Sequence, residues 1–210
     1  MKIRIGEIVQ ALIVAAFFGT AFYFLPLLPE RMASHWDVTG NVNGWMPKEV
    51  GLFVLPFMSL LVTIILMVSS RLEFNGKSVA PFRGAYELFC IVILLFLFYV
   101  YALMIAWSLG NKFNMAQMLA PGFSAIMFAV AFLMEKSTPN YFIGIRTKAL
   151  IEDPLKWAEV HKRGAGYFKA AAAVCLFGMI FPGYMLFFTV IPIMAITVIL
   201  VVSAGSVKAG

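Results

Sequence analysis

The feature that most constrains this chain is a succession of apolar runs, each near the length needed to cross a bilayer. A spanning helix takes roughly 20 apolar residues, and such runs fall at Ile8–Leu27, Gly51–Ser70, Ala85–Leu109, Met115–Met134, Gly166–Phe181 and Tyr184–Ser203. With 62% hydrophobic and only 12% charged residues, composition rules out an ordinary water-soluble core. The expected fold is therefore all-α and membrane-embedded, a polytopic bundle of about six helices. The fifth run would rise only about 24 Å as a helix, so it begins earlier or meets the sixth across the turn Phe181–Tyr184. The basic start and first apolar run resemble a signal peptide, but the run continues past any small-residue cleavage site near Ala21 and reads as an uncleaved helix.

Orientation follows from the basic residues. With the N-terminus inside, only Arg31, Lys48 and Lys112 of the 16 Lys and Arg fall on the outer side, the bias that keeps basic loops cytoplasmic. This places both termini in the cytoplasm of a multi-pass cell-membrane protein. The net charge of +6 and pI near 9.4 come from basic residues scattered beside helix ends. That distribution suits anionic membrane lipids and gives no reason to expect direct nucleic-acid binding.

The runs hold almost no charge away from their ends, which argues against an ion-coupled path. Ser59, Thr63, Ser108, Gln117, Ser124, Thr189 and Thr197 are read as hydrogen-bonding between helices or back to their own backbone. Pro56, Pro121 and Pro192 mark kinks. Kinks can also flank a cavity, so the competing class is a membrane enzyme or small-molecule transporter. Cys90 and Cys175 lie in apolar runs as small hydrophobes and are not expected to pair.

Two polar segments remain, on opposite faces. The outer one, Leu28–Trp45, carries the turn sequence Thr39-Gly40-Asn41-Val42-Asn43-Gly44. A calcium loop starting at Asp37 fails, because Val42 and Lys48 stand where glycine and glutamate are required. The inner segment, residues 135–165, is long for a connection in a bundle. Asp153-Pro154 reads as an N-cap and first helical residue, with Gly164 stopping or loosening the helix after a basic last turn. Leu155, Ala158 and Val160 beside Trp157 suggest an interfacial helix with its indole among the headgroups. His35 and His161, the only two histidines, are assigned to opposite faces, too few per face for zinc. No catalytic residue, metal site or cofactor is expected.

The stretch Leu28–Met58 resembles the DUF1648 motif through Pro29, His35, Gly40, Lys48 and Pro56. Asn140–Phe168 resembles the motif of the SdpI family through Asn140, Gly144, Ile145, Arg146, Thr147 and Trp157. The resemblance divides the chain into a helical pair with an outer loop, residues 1–84, and a four-helix portion with a cytoplasmic loop at 135–165, residues 85–210. It implies an immunity protein that protects a cell from a secreted toxic peptide and, in a signalling version, holds a transcriptional repressor at the membrane. The expected ligand-binding residues are His35, Trp36, Asp37, Asn41, Asn43 and Trp45. Those expected to meet a cytoplasmic partner are Asn140, Gly144, Arg146, Thr147, Trp157, Lys162 and Arg163. Arg146 is further expected to hold the inner loop by hydrogen bonds to carbonyls or to Glu152 or Asp153.

Overall fold

The computed structural model describes residues 3–206. Helix α1 (Ile5–Phe24) leads into a hairpin of β1 (Arg31–Trp36) and β2 (Val42–Pro47), and α2 (Lys48–Ser69) follows without a linker. A short second hairpin, β3 (Glu73–Phe74) and β4 (Lys77–Ser78), precedes α3 (Arg83–Ser108) and α4 (Met115–Lys136). The chain then forms the short α5 (Lys148–Glu152), the long α6 (Pro154–Cys175) and α7 (Met185–Ser206).

Among the described residues, five helical segments are long and apolar enough to cross a membrane: Ile5–Phe24, Lys48–Ser69, Ala80–Ser108, Met115–Lys136 and Pro182–Ala204. The sixth long helix, α6, runs antiparallel to α4. The Ser124 hydroxyl donates to the Ala172 carbonyl at 2.8 Å, and Gln117 near the start of α4 donates to Met179 just beyond α6 at 2.7 Å. This all-α polytopic bundle matches the sequence expectation, with one redrawn boundary. Gly164 does not stop a separate interfacial helix: α6 continues through Gly164 and Gly166 to Cys175 before 3-10 turns at Leu176–Met179 and Pro182–Tyr184. The glycine is there for close packing. A Cβ on Gly164 would stand 2.5 Å from Met134 Cε and 2.8 Å from a Leu200 methyl, so α4, α6 and α7 approach closely where it sits.

Two packing centres follow from the order of helices. Phe17, Met32, Leu52 and Tyr101 bury themselves where α1, α2, α3 and the first hairpin meet. Met127, Leu150, Trp157 and Leu200 do so among α4, α5, α6 and α7. A third cluster, with Val79, Phe82, Tyr86, Cys90 and Leu133, closes the end opposite the first hairpin. Several hydroxyls within the helices bond back to their own backbone: Thr63 donates to the Ser59 carbonyl at 2.7 Å, Thr189 to Met185 at 2.8 Å and Thr197 to Ile193 at 2.8 Å. Pro56, Pro121 and Pro192 lie inside α2, α4 and α7, and Cys90 and Cys175 are buried free thiols.

Candidate functional sites at the two ends of the bundle

The sequence suggested a polar turn between the first two spans, whereas the structure makes an antiparallel hairpin. Its register runs from Arg31 opposite Pro47 to Trp36 opposite Val42, with irregularities between Ala33 and Trp36. Those irregularities re-aim the strand so that Met32 and Ala33 are buried while His35 stands exposed. The tip is organised by Asp37, whose Oδ1 accepts from the Thr39 hydroxyl at 2.6 Å, the Thr39 N–H at 2.9 Å and the Asn41 N–H at 3.0 Å. These donors, the Thr39 hydroxyl foremost, hold the carboxyl below its ordinary range.

The tip is also locked to the bundle. Asn114 caps α4 by accepting from Gln117 N–H at 3.0 Å and donates through Nδ2 to the Thr39 carbonyl at 2.6 Å. Met115 N–H donates to the Gly40 carbonyl at 3.3 Å. Gly40 has φ +86°, and a Cβ there would overlap the Asn114 amide, so both conformation and contact require glycine. Farther along, Ala33 N–H donates to Ser108 Oγ at 3.1 Å, and Lys48 pairs with Glu30 at 3.2 Å.

This docking brings two of the expected outer residues, Trp36 and Trp45, against one that was not foreseen, Trp107 at the end of α3. Trp36 and Trp45 meet its ring edge-on at centroid distances of 6.2 and 5.5 Å, and Lys112 Nζ lies 3.3 Å above it. Between the hairpin tip and the α3–α4 turn lies a cleft of about 360 Å³ lined by Gly40, Asn41, Trp107, Lys112, Phe113 and Asn114. His35 Nδ1 donates to Asn43 Oδ1 at 2.5 Å on the exposed side of the hairpin. Asn41, Asn43 and Trp45 are exposed as well, while Trp36 is half-buried and its indole N–H has no acceptor among the described residues. Trp107 and Lys112 are invisible to local reading because only the folded hairpin brings them beside Asn41.

At the opposite end, residues 137–147 wrap the first turns of α6. The buried stripe of α6 is Trp157, Val160, His161, Gly164 and Ala165, the i, i+3, i+4, i+7, i+8 pattern of a helix facing a core. This corrects the interfacial reading: Leu155 and Ala158 are exposed, whereas Trp157 is completely buried and donates through Nε1 to the Ser137 carbonyl and hydroxyl at 3.1 and 3.2 Å. Its indole contacts protein, so a direct touch on a partner or a headgroup is excluded for it. The same holds for Asn140, fully buried, whose Oδ1 accepts from Phe142 N–H at 2.8 Å and Ile143 N–H at 2.7 Å.

His161, absent from the expected site residues, is the centre of this arrangement. Its ring stacks on Trp157 at 4.0 Å, Nδ1 donates to the Trp157 carbonyl at 2.9 Å, and Nε2 accepts from Ile145 N–H at 3.1 Å. That pattern belongs to a neutral imidazole. Burial pushes its pKa below the usual value, the bond to the Trp157 carbonyl opposing. Gly144 turns the loop over the ring at φ +96°, where a Cβ would overlap His161 Nε2.

Of the remaining inner residues, Arg146 Nη1 donates to the carbonyls of Tyr141 at 2.7 Å and Phe142 at 3.2 Å. Carbonyls, and neither Glu152 nor Asp153, are thus the acceptors its guanidinium uses. Thr147 caps α5 and Asp153 caps α6, the latter's carboxyl lowered chiefly by the Lys156 N–H. Gly144, Arg146, Lys162 and Arg163 are exposed, Arg163 pairing with Glu159 at 2.7 Å. The β3–β4 hairpin leans on this loop, Phe74 meeting Tyr141 edge-on at 5.0 Å and Lys77 Nζ donating to the Ile151 carbonyl.

His35 and His161 thus occupy opposite ends of the molecule, and among the described residues no three His, Cys, Asp or Glu side chains converge. A groove of about 630 Å³ between α3 and α4, lined by residues such as Leu88, Val92, Ser124 and Phe128, carries no ionisable side chain.

Two family models match the chain. One is the domain of unknown function DUF1648, over residues 12–60, and the other the SdpI/YfhL protein family, over residues 136–205. The first match takes in the outer hairpin and the second the inner loop with α6 and most of α7. Neither a curated protein nor a solved structure matches the chain.

Proposed function

The chain is an SdpI-family membrane protein with a DUF1648 segment ahead of the SdpI segment, and from that premise we propose that it is an immunity and sensing protein of the cell membrane. Its outer hairpin binds a secreted toxic peptide, and its inner loop meets a cytoplasmic transcriptional repressor. Both chain ends lie in the cytoplasm, as the basic bias indicates. The observation that carries this reading is the docking of the β1–β2 hairpin onto the α3–α4 turn through Asn114 and Met115. A mere connector needs no such lock. Here it builds a cleft lined by Asn41, Trp107 and Lys112, while His35, Asn43 and Trp45 are exposed on the same hairpin. Large aromatic rings beside adaptable amide groups suit peptide recognition, the rings contributing area at small entropic loss.

On the inner side the exposed Arg146, Lys162 and Arg163 present cations to the cytoplasm, with Thr147, Asn140 and Trp157 fixing the loop that carries Arg146. The test is substitution of His35→Ala with Asp37→Asn. Asn retains the Oδ1 acceptor that organises the tip, so abundance stays near wild type, while peptide binding and protection of cells fall at least about tenfold, equivalent to about 1.4 kcal/mol. A double variant that stays abundant and fully protective returns the hairpin to the status of a connector.

A further inference from the structure

At the inner end, Tyr141, Arg146, Lys148, Ile151 and Glu152 line an open cleft of about 400 Å³. Lys77, fixed on the Ile151 carbonyl, adds a third cation at its edge. We propose that this cleft binds the phosphodiester of an anionic phospholipid headgroup.

The chemistry of the walls points there. Arg146 is oriented by its two bonds from Nη1, which leaves its other guanidinium N–H groups without a protein acceptor among the described residues. Lys148 is exposed and likewise has none. A planar fork already held in place, beside a free ammonium, matches the oxygens of a phosphate. Three cations against the single carboxylate of Glu152 favour an anion, and that carboxylate on the wall disfavours a dianion relative to a singly charged diester. Glu152 also offers an acceptor to a headgroup hydroxyl.

The surroundings distinguish a lipid from a soluble anion. The cleft lies where the β3–β4 hairpin leaves the foot of the spanning helix α2. Phe74 on that hairpin packs edge-on against the cleft's Tyr141 and is 57% exposed, and Leu72 just before the hairpin is 48% exposed. Apolar and aromatic side chains adjoining cations at a helix end are the pattern of the headgroup layer, where basic pockets hold lipid phosphates. The cleft's walls all come from residues 141–152, and Lys77 reaches them from the first half of the chain through the Ile151 carbonyl, so a headgroup held by both Lys77 and Arg146 would bridge the two halves.

The experiment uses the full-length protein purified in a neutral detergent, where no repressor or toxin is present, so its outcome is independent of the proposed immunity role. Binding of short-chain phosphatidylglycerol, phosphatidylcholine and inorganic phosphate is measured by native mass spectrometry and thermal shift. Phosphatidylglycerol is expected to bind and stabilise, at least tenfold more tightly than phosphatidylcholine. Lys148→Glu should weaken it at least tenfold without changing the lipid-free melting temperature, and Lys148→Arg should stay within about twofold of wild type. Equal affinity for both lipids, inorganic phosphate binding as tightly as phosphatidylglycerol, or an unaffected Lys148→Glu variant would each overturn the assignment.

Discussion

Replacing Gly144 by alanine tests whether His161 is the clasp of the inner loop. The backbone there has φ +96°, a conformation that costs an L-residue about 1–3 kcal/mol. The new methyl also overlaps His161 Nε2. That ring cannot move aside cheaply, because it is stacked at 4.0 Å on a fully buried Trp157 and tied by Nδ1 to the Trp157 carbonyl. Moving the loop instead breaks the 3.1 Å bond from Ile145 N–H and strands a donor and an acceptor, about 1–3 kcal/mol more. The sum, about 2–6 kcal/mol, exceeds what a short loop can absorb, so the loop opens while the bundle stays intact. Hydrogen exchange of the protein in lipid nanodiscs reads this directly: amides at residues 142–147 should exchange at least about 25-fold faster, since each 1.4 kcal/mol is tenfold. Gly166→Ala is the comparison, because a Cβ there meets nothing within 4 Å and alanine is the better helix residue. Equal exchange in the two variants would refute the clasp.

Acid should open the same loop. The His161 pKa is lowered by burial, so its contribution to stability is complete above the ordinary imidazole value of 6.5 and declines as pH falls below it toward the folded-state pKa, by up to about 1.4 kcal/mol per pH unit; exchange of residues 142–147 measured from pH 7.5 to 5 checks this, and His161→Gln should flatten the response. Gly40→Ala should displace the Asn114 amide and free the hairpin tip, costing about 1–3 kcal/mol locally from positive φ alone and raising protease sensitivity between Asp37 and Val42; an unchanged cleavage pattern counts against the lock. Impermeant thiol labelling of Asn43→Cys and Lys156→Cys, each on a background lacking Cys90 and Cys175, should modify only the former in intact cells, and labelling of both would refute the assigned orientation.

How much of this was legible varies by element. The spanning helices were, because uninterrupted apolar runs have one solution in lipid, where backbone groups must be paired internally. The start of α6 was misread because its buried stripe includes His161 and Gly164, which hydropathy scores as polar or as a breaker, while the apolar Leu155 faces out at 84% exposure. The outer hairpin was hidden by its irregular register between Ala33 and Trp36, which spoils alternation. Its anchor could not be read locally at all: Asn114 looks like an ordinary N-cap until Thr39, far away in sequence, supplies the carbonyl. Motif residues chosen by resemblance do have structural reasons. Gly40 and Gly144 take positive φ against Asn114 and His161, Lys48 closes on Glu30, and Asn140 ties its own loop. Asn140, Gly144 and Trp157 therefore mark the loop's scaffold, and the exposed chemistry is left to Arg146 and the lysines around it.

The two ends are joined most directly through α2. Strand β2 ends at Pro47 and the helix begins at Lys48, rises about 33 Å, and reaches β3 within a few residues of Ser69. Beyond it, Phe74 and Lys77 touch Tyr141 and the Ile151 carbonyl, and the Tyr141 carbonyl is one of the two that hold Arg146. Continuity alone transmits nothing, since a ligand must favour one of two arrangements to shift the other end. The inner end of α2 resists rearrangement: Arg71 is tied at 2.7 Å to Glu7, which is only 5% exposed and also pairs with Arg4 at 3.5 Å, so the end of α2 is clamped to the start of α1. The outer half has a softer place at Pro56, where the ring removes one backbone donor and the Ser59 hydroxyl bonds the proline's own carbonyl at 2.8 Å. Bending at that turn would let the hairpin move while Arg71 stays anchored and would absorb a signal. Conducting one requires the helix to stay straight through Pro56 and to shift or rotate at Arg71. The relative stiffness of these two positions, more than any contact made by a ligand, decides whether the outer hairpin can report to the inner loop.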